Sequence, residues 1–176
     1  MYFASDNTAG ISDKILAAIT EANTGNAASY GGDDWTEALQ ARMADLFEHD
    51  VTVFPVATGT AANALSMAAI SPPWGGILCS HDAHVMTDEC GAAEMFTAGA
   101  KMFGVDGRYS KIDADELSRR LDSWPGGAPQ HVQPSAISIS QVSEFGAVWS
   151  VAEAGAVGEI ARRHGLKLHM DGARFG

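Results

Sequence analysis

The spacing of apolar positions changes repeatedly along the chain. In "ISDKILAAITEAN", Ile11, Ile15, Ala18 and Ile19 recur at helical intervals, and Ser12 is placed to cap the first turn. "DDWTEALQARMADLFEHD" opens on acidic residues and spaces Leu39, Met43, Leu46 and Phe47 in the same way. "VTVFPVA" is rich in β-formers and predicts a strand, with Pro55 marking an edge or a bulge. "GTAANALSMAAI" is small and apolar and predicts a helix that starts where that strand ends.

The alternation then continues. "GGILCS" predicts a short buried strand, "TDECGAAEMFTAG" a helix and "AKMFGV" a strand. "IDADELSRRLDSW" predicts a helix with Asp113 and Glu116 at capping-box spacing, and "SAISISQ" a strand after the breaker-rich "PGGAPQHVQP". "SVAEAGAVGEIARRHG" carries a second box, Ser150 and Glu153, and ends at Gly165 before the strand "LKLHM". Repeated βα units predict an α/β protein, a three-layer α/β/α sandwich around a mostly parallel sheet. There is no internal repeat or linker, so residues 1–176 read as a single domain.

Composition narrows the function. A chain of 176 residues with 46% apolar content is long enough for one packed core and too apolar for disorder. Its net charge of −11 argues against nucleic acid and anionic membrane surfaces as partners. No apolar run approaches the ~20 residues needed to span a bilayer. "MYFASDNTAG" lacks the basic and apolar regions of a secretory signal, and Cys79 and Cys90 form no disulfide framework. A soluble, cytoplasmic protein is expected.

Parallel sheets bind ligands at the carboxyl ends of their strands, so the stretches there hold the candidate chemistry. In "ATGTAAN", Gly59 and Thr60 at a helix start could cradle a phosphate, or simply make a turn and a cap. Asp171 in "HMDGARF" needs a partner for its carboxylate: either Arg174, in an ion pair, or the ring nitrogen of a bound heterocycle. His84, five residues before Glu89, could cap, stack on an aromatic cofactor or bind a metal. Cys79, His81 and His84 with Glu89 nearby give zinc some support. Cys79 and His81 share one face of an extended segment, but His84 lies past it and no second cluster exists. The cofactor reading stands ahead, and no metal is expected.

The order and spacing of "SDNTAG", "TGTAAN", His84 with Glu89, "SISQVSEFGAVWS" and "GLKLHMDGARF" resemble the threonine aldolase and aromatic amino acid β-eliminating lyase family. These are pyridoxal-phosphate enzymes of the aspartate-aminotransferase-like fold (fold type I). The resemblance runs from Ser5 to Phe175, and "SQVSEFGAVWS" is similar to the low-specificity L-threonine aldolase branch. It implies that pyridoxal 5'-phosphate sets its phosphate on Gly59 and Thr60, its ring nitrogen on Asp171 and its phenolic oxygen on Arg174. His84 would stack on the ring near the substrate's β-hydroxyl, and Ser5 would bind the substrate carboxylate. Tyr30 and Asp34 resemble a loop reaching a neighbouring subunit's site, so a homodimer or homotetramer is implied. Glu89 and Gln141 would be supporting or merely structural.

The implied reaction is retro-aldol cleavage of a threonine-like β-hydroxy-α-amino acid to glycine and an aldehyde. The alternatives are another β-eliminating lyase or a racemase of the same superfamily, or a non-catalytic cofactor-binding fragment. That last alternative arises because the family's tethering lysine lies roughly thirty residues beyond the Asp, on a strand this sequence does not contain. Lys14, Lys101, Lys111 and Lys167 are all expected away from the strand ends, with Lys167 buried in the sheet or facing a helix. The carboxyl-terminal small domain of the family is also missing, so the expectation is an incomplete large domain, inactive alone.

Overall fold

The computed structural model describes residues 8–175, which divide into two compact units, one up to Pro55 and one from Val56. The first holds helices α1 (Asp13–Ala22) and α2 (Asp34–Phe47). Ser12 Oγ accepts the Ile15 N–H at 3.5 Å, as its position predicts, and Asp33 caps α2 through the Thr36 N–H at 2.9 Å. Neither helix contains a buried residue, and Ile11, Ile15, Leu16 and Ile19 are all at least half exposed.

The strand expected over "VTVFPVA" does not form. The Gln40 side chain of α2 takes its place as a partner: Oε1 accepts the Val53 N–H at 3.0 Å, and Nε2 donates to the Val51 carbonyl. β-propensity expresses itself only where another strand lies alongside, and here a side-chain amide meets the backbone groups instead.

The second unit contains α3 (Gly59–Ile70), β1 (Gly75–Ser80), α4 (His84–Thr87), α5 (Ala92–Phe96) and β2 (Lys101–Val105). It continues with α6 (Ala114–Asp122), β3 (Gln133–Ser140), α7 (Val151–Arg163) and β4 (Lys167–Asp171). The strands form one parallel sheet in the order β2–β1–β3–β4. The helix expected from "TDECGAAEMFTAG", residues 87–99, forms only as α5, with α4 ending at Thr87 where it was to begin. Cys90 (φ 51°) and Gly91 (φ 74°) stand in the left-handed region between them, where a helix cannot continue.

Side chains alternate between the two faces of the sheet. Leu78, Val105, Ile137 and Ile139 pack with Leu117 and Leu121 of α6 and Val157 and Ile160 of α7. Ile77, Cys79 and Ala136 pack on the other side with Met67 of α3 and Ala93 of α5. The Ser150–Glu153 capping box forms in full. At Asp113 only half of one forms: its carboxylate accepts the Glu116 N–H, while Glu116 turns to Arg119 at 2.7 Å.

The register aligns the strand ends. Ser80 lies opposite Val105, and Ser140 lies opposite Asp171. All four carboxyl ends therefore face one edge of the sheet. β4 is an outer strand among those described, which leaves Leu168 42% and Met170 38% exposed.

Candidate active site at the strand ends

Asp171 is the last residue of β4 and is half-buried. Its Oδ1 accepts the Ala173 N–H at 3.1 Å, and its Oδ2 accepts Nδ2 of Asn63 at 3.0 Å. The Asp171 carbonyl accepts the Gln141 N–H at 2.8 Å, and the Gln141 carbonyl accepts the Arg174 N–H at 3.3 Å, so backbone bonds clamp the turn that presents the carboxylate. Of the two partners considered for this carboxylate, the ion pair with Arg174 does not form: Arg174 is exposed, and no cation lies within 4 Å of Asp171 among the described residues. His169, two positions earlier, donates to or accepts from Ser138 Oγ at 3.0 Å. Burial pushes its imidazole below the ordinary range, against the pull of Asp171, so it is neutral at pH 7 and supplies no counter-charge.

Gly59 and Thr60 form the first turn of α3. The cap is Thr58, whose hydroxyl accepts the Ala61 N–H at 3.1 Å. A Cβ added at Gly59 would meet nothing within 4 Å, so nothing crowds the side-chain position of this glycine. One turn on, Asn63 touches Asp171, which sets the start of α3 beside the end of β4.

His84 opens α4, and its N–H donates to Glu144 Oε1 at 2.8 Å. The same oxygen accepts Ser140 Oγ at 2.8 Å, while Oε2 accepts Ser110 Oγ at 2.8 Å, itself 3.1 Å from Ser80 Oγ. One carboxylate thus gathers the ends of β1 and β3, the loop after β2 and the start of α4. The His84 ring is half-exposed, with Nδ1 3.9 Å from Asp88 Oδ2.

The other candidates are dispersed. Cys79 faces the core, its thiol 3.7 Å from Met86 Sδ and pushed up to about 12 by burial, then by the Glu144 and Glu94 carboxylates. His81 instead lies over Gly104, where a Cβ would come 2.1 Å from its ring, and sits 3.4 Å from Asp106. Among the described residues no group of three such side chains could hold a metal. The Gln141 side chain brackets the backbone of Trp149, accepting its N–H at 3.0 Å, which is a structural task. Tyr30 is fully exposed at φ 61°, and Asp34 is the exposed first residue of α2; both lie in the first unit. Ser5 falls outside the described residues.

The lysines need two corrections. Lys167 is exposed rather than buried, because β4 is an outer strand; like Lys101 it begins its strand and so stands at the end opposite Asp171. Lys111 does lie on the carboxyl side, in the loop after β2, because the loops that follow parallel strands collect at that edge. Its ammonium is taken by Glu153 and the Val148 carbonyl, and the bond to Lys111 leads in lowering the Glu153 carboxyl to about 2.

Asn63 and Glu144 are the residues missed in sequence. Asn63 was legible only as one amide in an Ala-rich helix, and Glu144 as one acid in a strand-end loop. Their roles depend on partners 108 and 60 positions away.

A family model described as "Beta-eliminating lyase" matches residues 2–176. The chain belongs to the beta-eliminating lyase family. It is 38% identical to a low-specificity L-threonine aldolase of Pseudomonas aeruginosa over 98% of its own length and 49% of that protein. It is 29% identical to an alanine racemase of Cochliobolus carbonum over 98% of its length and 43% of that one. The chain therefore spans about half the length of the curated relatives it matches. The structure of a Leishmania major threonine aldolase superposes with a TM-score of 0.89 at 25% identity, over 98% of this chain and 50% of that one. A serine palmitoyltransferase of S. paucimobilis with bound PLP matches at a TM-score of 0.60 and 16% identity, covering 90% and 39%, which speaks for fold alone. The parallel sheet with its helices is the pyridoxal-phosphate-dependent transferase fold of these neighbours, as the family resemblance implied.

Proposed function

We propose that this member of the beta-eliminating lyase family serves a pyridoxal-phosphate-dependent aldolase that cleaves threonine-like β-hydroxy-α-amino acids to glycine and an aldehyde, with both units parts of one cofactor-binding domain. The observation that carries the reading is Asp171: a carboxylate presented at the strand ends, braced from behind by two neutral N–H donors and lacking a cation among the described residues. A protonated ring nitrogen is the partner such a group lacks.

The residues present fit the cofactor. Asp171 would hold the ring nitrogen protonated. The Gly59 and Thr60 N–H groups, at the positive end of α3, would bind the phosphate. When bound, pyridoxal phosphate supplies an electron sink for the charge released as the Cα–Cβ bond breaks. His84, held by Glu144, would flank the ring and take the proton of the substrate's β-hydroxyl. Arg174, its side chain exposed, would reach the phenolic oxygen, and Ser5 the substrate carboxylate. The bare apolar stripe of α1, with no buried residue, supports assembly with further copies in a cytoplasmic homodimer or homotetramer, where Tyr30 and Asp34 would meet a neighbour's site. No described helix is long and apolar enough to cross a membrane.

The lysines lie badly for tethering the cofactor, since Lys101 and Lys167 stand at the wrong strand ends and Lys111 is engaged. We therefore take residues 1–176 alone to be inactive. The full protein, given L-threonine and the cofactor, is expected to release glycine and acetaldehyde in equal amounts. Ammonia with a keto acid as the products would overturn the aldolase assignment. The similarity to an alanine racemase keeps one second reading open; racemisation of L-alanine, with threonine left intact, would favour it. His84→Phe keeps an aromatic plate and removes the base, so cofactor absorbance should persist while turnover falls about 100-fold. Undiminished turnover would reduce His84 to packing.

A further inference from the structure

Behind Asp171 lies a second carboxylate. Asn63 and Glu89 are each only 5% exposed, and Asn63 Nδ2 donates both to Asp171 Oδ2 at 3.0 Å and to Glu89 Oε1 at 2.9 Å. Its two amide hydrogens are thereby spent on two acids. Glu89 Oε2 is buried and has no hydrogen-bond partner among the described residues. No described cation lies within 4 Å of either acid. The titratable neighbour on β4, His169, is neutral at pH 7.

A buried carboxylate with a bare oxygen and no counter-charge costs free energy that a nearby positive charge would offset. A purely structural Asn would not require an acid on its far side. Resting on the reading that Asp171 meets a ring nitrogen, we propose that Asn63 is a positioning residue that fixes the Asp171 carboxylate, and that Glu89 adds a deeper negative charge which raises the proton affinity of the nitrogen held there. The sign follows from Coulomb's law: an anion nearby favours the cationic ring, and its removal favours the neutral one.

The test is a pH titration of the ring nitrogen by 15N NMR, using 15N-labelled pyridoxal phosphate bound to the full protein. The wild type should show a protonated nitrogen through neutral pH. Glu89→Gln preserves shape and can still accept from Asn63, but it removes the charge; the midpoint of ring deprotonation should fall by about one pH unit or more. Glu89→Asp keeps the charge while disturbing the packing, and its midpoint should stay near that of the wild type. A structural role for Glu89 demands the opposite pattern, with Gln harmless and Asp damaging, and that result would overturn the proposal. Asn63→Ala should lower the midpoint as Glu89→Gln does, because Asp171 loses its brace; an unmoved midpoint would remove Asn63 from the chain. A wild-type protein that binds no cofactor, or binds it with an unprotonated nitrogen, would instead reject the cofactor reading itself. That failure shows in the unmutated protein and cannot be confused with the others.

Discussion

Asp171→Asn is expected to cut turnover of the full protein at least ~100-fold while leaving it folded. The substitution is nearly isosteric, the bonds that join β4 to β3 are backbone bonds, and the Asn oxygen can still accept the Ala173 N–H in the turn after it. What changes is charge. The neutral amide cannot stabilise a protonated ring nitrogen, and an amide N–H turned toward the ring would favour its unprotonated form. It would also set a donor against the Nδ2 donor of Asn63, which now serves Oδ2. Steady-state cleavage of threonine, measured beside the thermal unfolding midpoint, separates the two consequences. Turnover within a few-fold of the wild type, at unchanged stability, would remove Asp171 from the chemistry.

Ile137→Ala should be the most destabilising of the simple core truncations, by about 2–5 kcal/mol. Ile137 is fully buried in β3, whose partners are Leu78 of β1 and Leu168 of β4, and it packs into the layer formed by α6 and α7. Strands on both sides limit how far the backbone can collapse into the cavity, so the cavity cost adds to the lost transfer free energy. Against a total stability of ~5–15 kcal/mol, that is a large share. Ile137→Val removes one methyl group and should cost about 1 kcal/mol. Urea unfolding of both variants reads the difference directly. Equal, small shifts in midpoint would mean that this layer is loosely packed.

The elements were legible in sequence wherever local chemistry settles the backbone. Periodicity marks the helices, and Ser12 and Ser150 cap as their positions predict, because a cap needs only partners three residues away. α3 and β1 match the stretches that predicted them, residue for residue. The failures have separate causes. "VTVFPVA" has the composition of a strand, but pairing requires a neighbour, and the Gln40 amide is what lies there. The helix expected over residues 87–99 forms only from Ala92 to Phe96, because Cys90 and Gly91 stand in the left-handed region ahead of it, and no apolar period reports that. Lys167 was expected in the sheet interior or against a helix; it is exposed because burial depends on where a strand falls in the sheet order, which period-two alternation does not encode.

The candidate site divides in the same way. Motifs at the ends of the expected strands marked Gly59, Thr60, His84, Asp171 and Arg174, although the strand expected before Gly59 does not form. Family resemblance added roles, but no local pattern could say who braces whom. Only the tertiary structure joins Asn63 to Asp171 across 108 residues, leaves Asp171 without an ion pair to Arg174, and makes Glu144 the tie between His84, the ends of β1 and β3 and the loop after β2. The physical reason is range. Caps, turns and periodicity are interactions within a few residues, and the sequence determines them by itself. The charge around a buried carboxylate is set by whatever distant segments the packed sheet brings against it.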